Sequence, residues 1–379
     1  MAECYRLINY SAKAIGGYQN AVRYKYPDSL ALLYLAQMQH RQGDYKNAIK
    51  NYDAYLELDP THPLAINGKQ GCMQATIWKN KPTAYSIKKE PIFNSRRSEY
   101  SPMLFGDESE QLFLTSTRPQ ATGDEISGIT GVKSADIFVS KKDEKGKWTQ
   151  PEPIEGELNS AFEEGACAFT PDGKTMYLTR CTYDADYPRY AEICSSNRSD
   201  ASWSKPQVVQ ITKDTLSSYA HPAVSPDGMW LYFTSDMPGG LGGTDIWRIA
   251  LTSHGLGGVE NLGEPINTPG NEMFPTFRPN GDLYFSSNGH VGMGGLDLFK
   301  AIMIFVEDLL GLVDVAVDLA GFVPREIEYG LDVSAGHVCV RAHRAHLCEL
   351  VDLLADLGIG LLLELELIEL FSPLTCLVV

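Results

Sequence analysis

The stretch "SPDGMWLYFTSDMPGGLGGTDIW", Ser225–Trp247, decides the fold. It holds a turn at Pro226-Asp227-Gly228, an alternating strand from Trp230, a glycine-rich loop, and an acid-aliphatic strand that opens at Asp245. Proline presets the first turn position and glycine supplies a left-handed one, so the turn joins two strands of a hairpin. Alternating aromatics in the second strand pack between neighbouring sheets.

The same three elements recur in fixed order. Turn-closing strands read "CAFTPDGK" from Cys167, "PAVSPDGM" from Pro222 and "PTFRPNGD" from Pro275. Alternating strands read "QLFLTSTR" from Gln111, "TMYLTRC" from Thr175, "WLYFTSD" from Trp230 and "DLYFSSN" from Asp282. The third strands begin at Asp136, Glu192, Asp245 and Asp297, while Trp148 and Trp203 open fourth strands, "WTQPEPI" and "WSKPQVV". Four strands repeated every 50–60 residues predict a β-propeller. Blades are expected at about 97–157, 162–212 and 217–266, with a fourth beginning near 270.

Upstream the period is different. Ala14, Tyr18 and Ala21 are matched 34 positions later by Ala48, Tyr52 and Tyr55. Leu32, Leu35 and Ala36 mark one helix, Gly43-Asp44-Tyr45 a turn, and Ala48, Ile49, Tyr52, Tyr55 and Leu56 a second helix before Pro60. A further helix from Pro63 to about Trp78 covers the end of this pair. The pattern resembles the tetratricopeptide repeat, whose units need about three copies to bury a stable core. Because the chain starts inside such a unit, a missing natural N-terminus is expected. These helices either pack on the next domain or offer a concave face to a partner peptide.

The resulting organisation is multidomain α and β: helical repeats at 1–80, a polar linker at 81–96, an incomplete propeller at 97–301 and a tail at 302–379. The tail holds 13 acidic and 3 basic residues, some 18 Leu, and no Lys, Asn, Gln or Trp. A frameshift, rearrangement or gene-model error after about Ala301 is the reading of that change. Its alternating "LLLELELIEL" suits a strand. "HVCVRAHRAHLC" places His337, Cys339, His343, His346 and Cys348 within twelve residues, a zinc-like ligand set undercut by this context.

Net charge is −16, which leaves no basic surplus for phosphates and excludes nucleic acid as the expected partner. The N-terminus shows no basic region followed by an apolar one, and no long charge-free apolar stretch occurs. Glycine runs at Gly239-Gly240, Gly242-Gly243 and Gly292 to Gly295 lack a following helix or a Gly-Lys-Ser/Thr. They read as tight loops presenting Asp245 and Asp297. No GxSxG, HExxH or paired catalytic carboxylates are found, so a non-enzyme without cofactor is expected.

Glu99, Glu164, Tyr219 and Glu272 occupy equivalent positions, each seven residues before a turn glycine or proline, with His221 and Asn271 beside them. They are expected at one mouth of the central channel. There they either bind a cation or basic peptide, or satisfy backbone N–H groups of the neighbouring blade.

Together, "SPDG…LYFTSDMPGGLGGTDIW", "GDEISGITGVKSADIFVS" and "NTPGNEMFPTFRPNGDLYFSSNGHVGMGGLDLFK", preceded by the helical repeat, resemble one family over residues 2–301. It is the PorE-like family of Bacteroidetes, with tetratricopeptide repeats, a TolB-type propeller and, normally, an OmpA-like domain. The resemblance implies a periplasmic, outer-membrane-associated scaffold, accessory to type IX secretion, whose partners are envelope proteins and secretion-machinery components. Peptidoglycan binding belongs to relatives with the OmpA-like domain, which has no counterpart here. Cys181 and Cys194 form either a disulfide, which would suit the implied periplasm, or two separate buried thiols. Other readings are a propeller that binds or processes carbohydrate or peptide at its channel mouth, and a non-functional truncated fragment.

Overall fold

A computed structural model describes residues 1–81, 88–106, 109–122, 126, 133–182, 191–199, 202–304, 330–334, 337–341 and 375–378. The chain divides into two compact units, one of residues 1–301 with 378–379 and one of residues 302–377.

The first unit opens with five helices: α1 Ala2–Leu7, α2 Ser11–Arg23, α3 Leu30–Arg41, α4 Tyr45–Leu56 and α5 Pro63–Asn80. Asp44 starts α4 by accepting the Asn47 N–H at 3.4 Å, and Pro63 sits at the first turn of α5, where a missing N–H costs nothing. Ala14 and Tyr18 of α2 pack with Ala31, Leu35 and Met38 of α3. One step along, Ala48 and Tyr52 of α4 pack with Leu33, Ala36, Ala65 and Cys72. Alanines at the crossings let the helix axes approach, and the tyrosines fill the volume beside them.

The same unit continues into a β-propeller-like array. The first sheet runs in the order β1 Glu99–Phe105, β2 Gln111–Ser116, β3 Asp136–Lys141 and β4 Glu152–Pro153. The second has β5 Glu163–Phe169, β6 Thr175–Cys181 and β7 Ala191–Ser199, edged by the short β8 Ser202–Trp203 and β9 Gln207–Val208. The third has β10 Tyr219–Val224, β11 Trp230–Ser235, β12 Asp245–Thr252 and β13 Gly255–Asn261. The fourth contains β14 Glu272–Phe277, β15 Leu283–Ser287 and β16 Asp297–Ile304.

The turns form as the sequence predicts: the Gly228 N–H donates to the Ser225 carbonyl at 2.8 Å, with Gly228 left-handed at φ 73°. The expected fourth strands of the first two sheets are shorter, reduced to two-residue pieces. Pro151 and Pro153 in one, and Pro206 in the other, remove ladder donors.

Period two explains how the sheets stack. Phe233 joins Ile193, Tyr219 and Trp247 in the core between the second and third sheets. Its neighbour Tyr232 points the other way, onto Phe277 of the fourth sheet with ring centroids 4.8 Å apart. Phe113, Ile137, Cys167, Met176, Leu178 and Trp203 form the core between the first and second sheets.

Helices and propeller meet within this unit. The Asn67 side chain of α5 donates to the Gly289 carbonyl at 2.9 Å, and the Tyr45 hydroxyl to that of Met293 at 3.4 Å. In the second unit, β17 Gly330–Ser334 and β18 His337–Arg341 pair as a hairpin. A further strand, β19, spans Thr375–Val378. The "LLLELELIEL" segment lies outside the described residues.

Candidate functional site

The equivalent residues Glu99, Glu164, Tyr219 and Glu272 each open the innermost strand of a sheet. All three carboxylates carry the same pair of bonds from one residue, four positions upstream. Glu164 accepts the Ser160 N–H at 3.0 Å and the Ser160 hydroxyl. Glu272 accepts the Thr268 N–H at 2.9 Å, the Thr268 hydroxyl at 2.7 Å and the Ser287 hydroxyl. Glu99 accepts the Ser95 N–H at 3.1 Å and the Ser95 hydroxyl, with further bonds from Ser116 at 3.2 Å and from the Arg118 guanidinium at 3.3 Å.

An asparagine precedes each of these hydroxyl residues, so the chain carries Asn-Ser/Thr-x-x-x-Glu at 94–99, 159–164 and 267–272. Asn159 reaches back to the first sheet, accepting the Ile137 N–H at 2.9 Å and donating to the Ile137 carbonyl at 3.0 Å. Asn267 grips Ile246 of the third sheet in the same way, at 2.8 and 2.9 Å. The Glu164 N–H donates to the Ala135 carbonyl at 2.9 Å, and the Glu272 N–H to that of Thr244 at 2.7 Å. The second and third motifs are therefore staples between successive sheets. The motif's spacing was present three times in the sequence, but only the first residue's distant partner reveals its purpose.

Blade three departs from this pattern. Tyr219 stands where the glutamate would be, buried, with its hydroxyl 2.6 Å from that of Thr212.

A second regularity lies two residues further on. Ser101, Ala166, His221 and Phe274 are all left-handed, at φ 49°, 44°, 51° and 54°, and each sits at a register shift in its innermost strand. Such bulges bend the strand and free an N–H. Ala166 gives that N–H to Thr115 Oγ1 at 3.0 Å and His221 gives its own to Thr179 Oγ1 at 2.8 Å, both threonines lying on the preceding sheet. The His221 ring is 3.0 Å from Thr234 Oγ1 through Nδ1 and stacks on Phe274 with centroids 3.8 Å apart. Burial pushes its imidazole down to about 4, so it is neutral near pH 7.

The carboxylates differ electrostatically. Burial pushes Glu164 up to about 7 against the bonds from Ser160, and Asp136 adds to the rise while Arg180 opposes it. Burial raises Glu272 as well, with Asp245 nearby. At Glu99 burial acts the same way, but bonds from Ser95, Arg118 and Ser116 outweigh it and hold the group below its ordinary range.

The glycine loops fold onto their own acids. Asp245 accepts N–H bonds from Leu241 at 2.6 Å and Gly242 at 3.2 Å, and Asp297 accepts that of Gly294 at 3.0 Å. The loop amides thus point inward at carboxylates.

Cys181 and Cys194 are both free. Of the two readings of this pair, register leaves separate thiols: Cys194 faces Leu178 on β6, three residues from Cys181. That offset is about 10 Å along the strand and places the two side chains on opposite faces, beyond the reach of an S–S bond. Of the zinc-like set, His337 and Cys339 fall on β18, while His343, His346 and Cys348 lie outside the described residues. Among the described residues no group of three His, Cys, Asp or Glu is arranged to hold a metal ion.

No family model and no curated protein matches the chain. Among solved structures it is similar to a puromycin-hydrolysing peptidase of Mycobacterium tuberculosis, at 16% identity and a TM-score of 0.33 over 54% of this chain and 28% of that one. It is also similar to an α-L-arabinofuranosidase from Lactobacillus brevis, at 11% identity and a TM-score of 0.35 over 55% and 74% of the two chains. A gluconolactonase from Xanthomonas campestris gives 11% identity and a TM-score of 0.31, again over 55% and 74%. The chain spans little more than a quarter of the peptidase. The expectation of a non-enzyme is corrected to this extent: the neighbours are named as hydrolases, and a propeller fold without a familiar catalytic motif does not exclude catalysis.

Proposed function

We propose that this chain is a protein-docking scaffold of the bacterial envelope, built from tetratricopeptide-type helical pairs and a propeller. The observation that carries the reading is the repetition of one core in the helices. Ala14 and Tyr18 in one cluster, and Ala48 and Tyr52 in the next, are equivalent across 34 residues and buried alike. Repeats of this kind present extended faces to partner proteins, and the propeller adds a second surface. The resemblance to the PorE-like family supports a periplasmic, outer-membrane-associated setting and a role accessory to type IX secretion, with envelope proteins and secretion components as partners.

Ligand binding by the carboxylates at a channel mouth is not favoured. Glu164 and Glu272 are buried and occupied by bonds from their own junctions. Affinity capture with the full chain, from an envelope extract of a Bacteroidetes species that secretes by the type IX route, tests the proposal. Enrichment of outer-membrane or secretion components over a capture with scrambled α3–α4 surface residues is expected. Equal recovery in both captures overturns it.

A further inference from the structure

We infer that the seat of the helices on the fourth sheet is an acid-releasable latch, with His40 as the group that opens it. The inference stands on the junction itself and does not require the docking role proposed above.

The junction is built almost wholly from backbone on the propeller side. Asn67 and Tyr45 bond to the carbonyls of Gly289 and Met293. Glycine permits the approach: a Cβ on Gly71 would lie 2.3 Å from the Gly292 carbonyl oxygen, and one on Gly294 would lie 2.7 Å from the His40 carbonyl carbon. Gly294 is also left-handed, at φ 110°, which disfavours any other residue there. The loop keeps its own shape through Asp297, which holds the Gly294 N–H. Two preformed surfaces therefore meet, and they can part without either unfolding.

His40 lies between them, 5% exposed. Its Nδ1 is 3.4 Å from the Tyr52 hydroxyl, and its ring meets those of Tyr45 and Tyr52 edge-on. Its Nε2 is buried and directed at the Gly292 backbone, without a hydrogen bond of ordinary geometry. The groups facing it are Tyr45 and Tyr52 from α4, the Gly71 to Cys72 turn of α5, and the Gly292 carbonyl with Asp297 from the propeller. On its own helix Arg41 runs its stem against Gly295 of the loop and places its guanidinium 2.7 Å from Asn9, while Lys79 of α5 lies 4.9 Å from the Tyr45 ring centroid.

Protonating this ring puts a charge where water is excluded. Burial accordingly holds the imidazole below its ordinary value, and the Gly292 carbonyl and Asp297 oppose this without reversing it. A histidine depressed in the closed state favours closure above its free value of 6.5, and that preference is lost as pH falls below it. Acid therefore opens the latch.

Hydrogen–deuterium exchange of the full chain, normalised to intrinsic rates between pH 7.5 and 5, is the test. In the wild type, protection of amides 289–297 and 67–75 is expected to fall by up to about tenfold per pH unit below 6.5, while strand β11 stays protected. In His40→Phe, which keeps the ring and removes its titration, the fall should vanish at 67–75 and shrink at 289–297, where buried His290 also titrates below its ordinary value. If that variant does not fold at pH 7.5, His40→Gln serves in its place. An equal pH response with and without His40, no response in the wild type, or parallel loss at β11 overturns the inference.

Discussion

Glu164 and Glu99 sit in the same motif, Asn-Ser-x-x-x-Glu, and accept the same pair of bonds from a serine four residues upstream. Their surroundings differ. The first sheet lies against Glu164, whose asparagine partner grips Ile137 there. Among the described residues no sheet precedes Glu99 in the chain, and its partner Asn94 donates instead to the nearby Glu90 carbonyl at 2.7 Å. Among the described residues, no staple of the kind joining the first sheet to the second and the third to the fourth joins the fourth to the first. The comparison teaches that a motif fixes local geometry, while the neighbouring sheet decides whether it is a staple between sheets or a local cap paired with an arginine.

The largest effect should come from removing a buried acceptor. Glu272→Ala strands the Thr268 N–H and the hydroxyls of Thr268 and Ser287 in a dry junction, for an expected loss of about 4 kcal/mol. Glu99→Ala frees Ser95 groups that water reaches but leaves the buried Arg118 guanidinium without its carboxylate, and about 2 kcal/mol is expected. Urea titrations of the two variants provide the check. Equal losses would mean that the first sheet's edge is as closed as the inner junctions.

Next comes the pH dependence, where the two glutamates should slope in opposite directions. Glu164 titrates at about 7 when folded and near 4.5 when unfolded, so folding favours its protonated form. Its contribution is full below pH 4.5 and is lost as pH rises through 7, about 3 kcal/mol in all. Glu99 is depressed instead, so its contribution is present above 4.5 and lost as pH falls through its folded value. Stability measured against Glu164→Gln should fall between pH 4.5 and 8, whereas stability measured against Glu99→Gln should rise from acid towards neutrality. Parallel slopes would erase the distinction.

Much of this architecture was legible in the sequence, and the legible parts are those with local causes. The turn at Ser225–Gly228 needs only its own residues, and the opposed packing of Tyr232 and Phe233 follows from strand alternation. The positions of Glu99, Glu164 and Glu272 came from register with those turns. Less visible were features that depend on a distant partner. Asn159 is an ordinary polar residue until Ile137 stands opposite it, 22 positions earlier. Nothing in "GHVGMGG" announces a seat for α5, because the contact is made with its carbonyls rather than its side chains. The choice between a disulfide and separate thiols at Cys181 and Cys194 is decided by register, which cysteine spacing alone does not report.

The smallest effects test that long-range element directly. Asn267→Ala removes both bonds to Ile246 and leaves a buried N–H and carbonyl without their partner, for an expected cost of about 2 kcal/mol. Asn159→Ala should cost somewhat less, because its bonds to Ile137 are only partly buried. Asn94→Ala, at the sheet with no preceding neighbour, should stay within about 0.5 kcal/mol. Thermal melts of the three variants rank the junctions without touching a charged group, so pH effects drop out. If Asn94→Ala proves as costly as Asn267→Ala, Asn94 must grip another sheet, and the contrast between the first sheet and the others would have to be abandoned. If all three are silent, the glutamates alone hold the sheets together and the asparagines merely follow them.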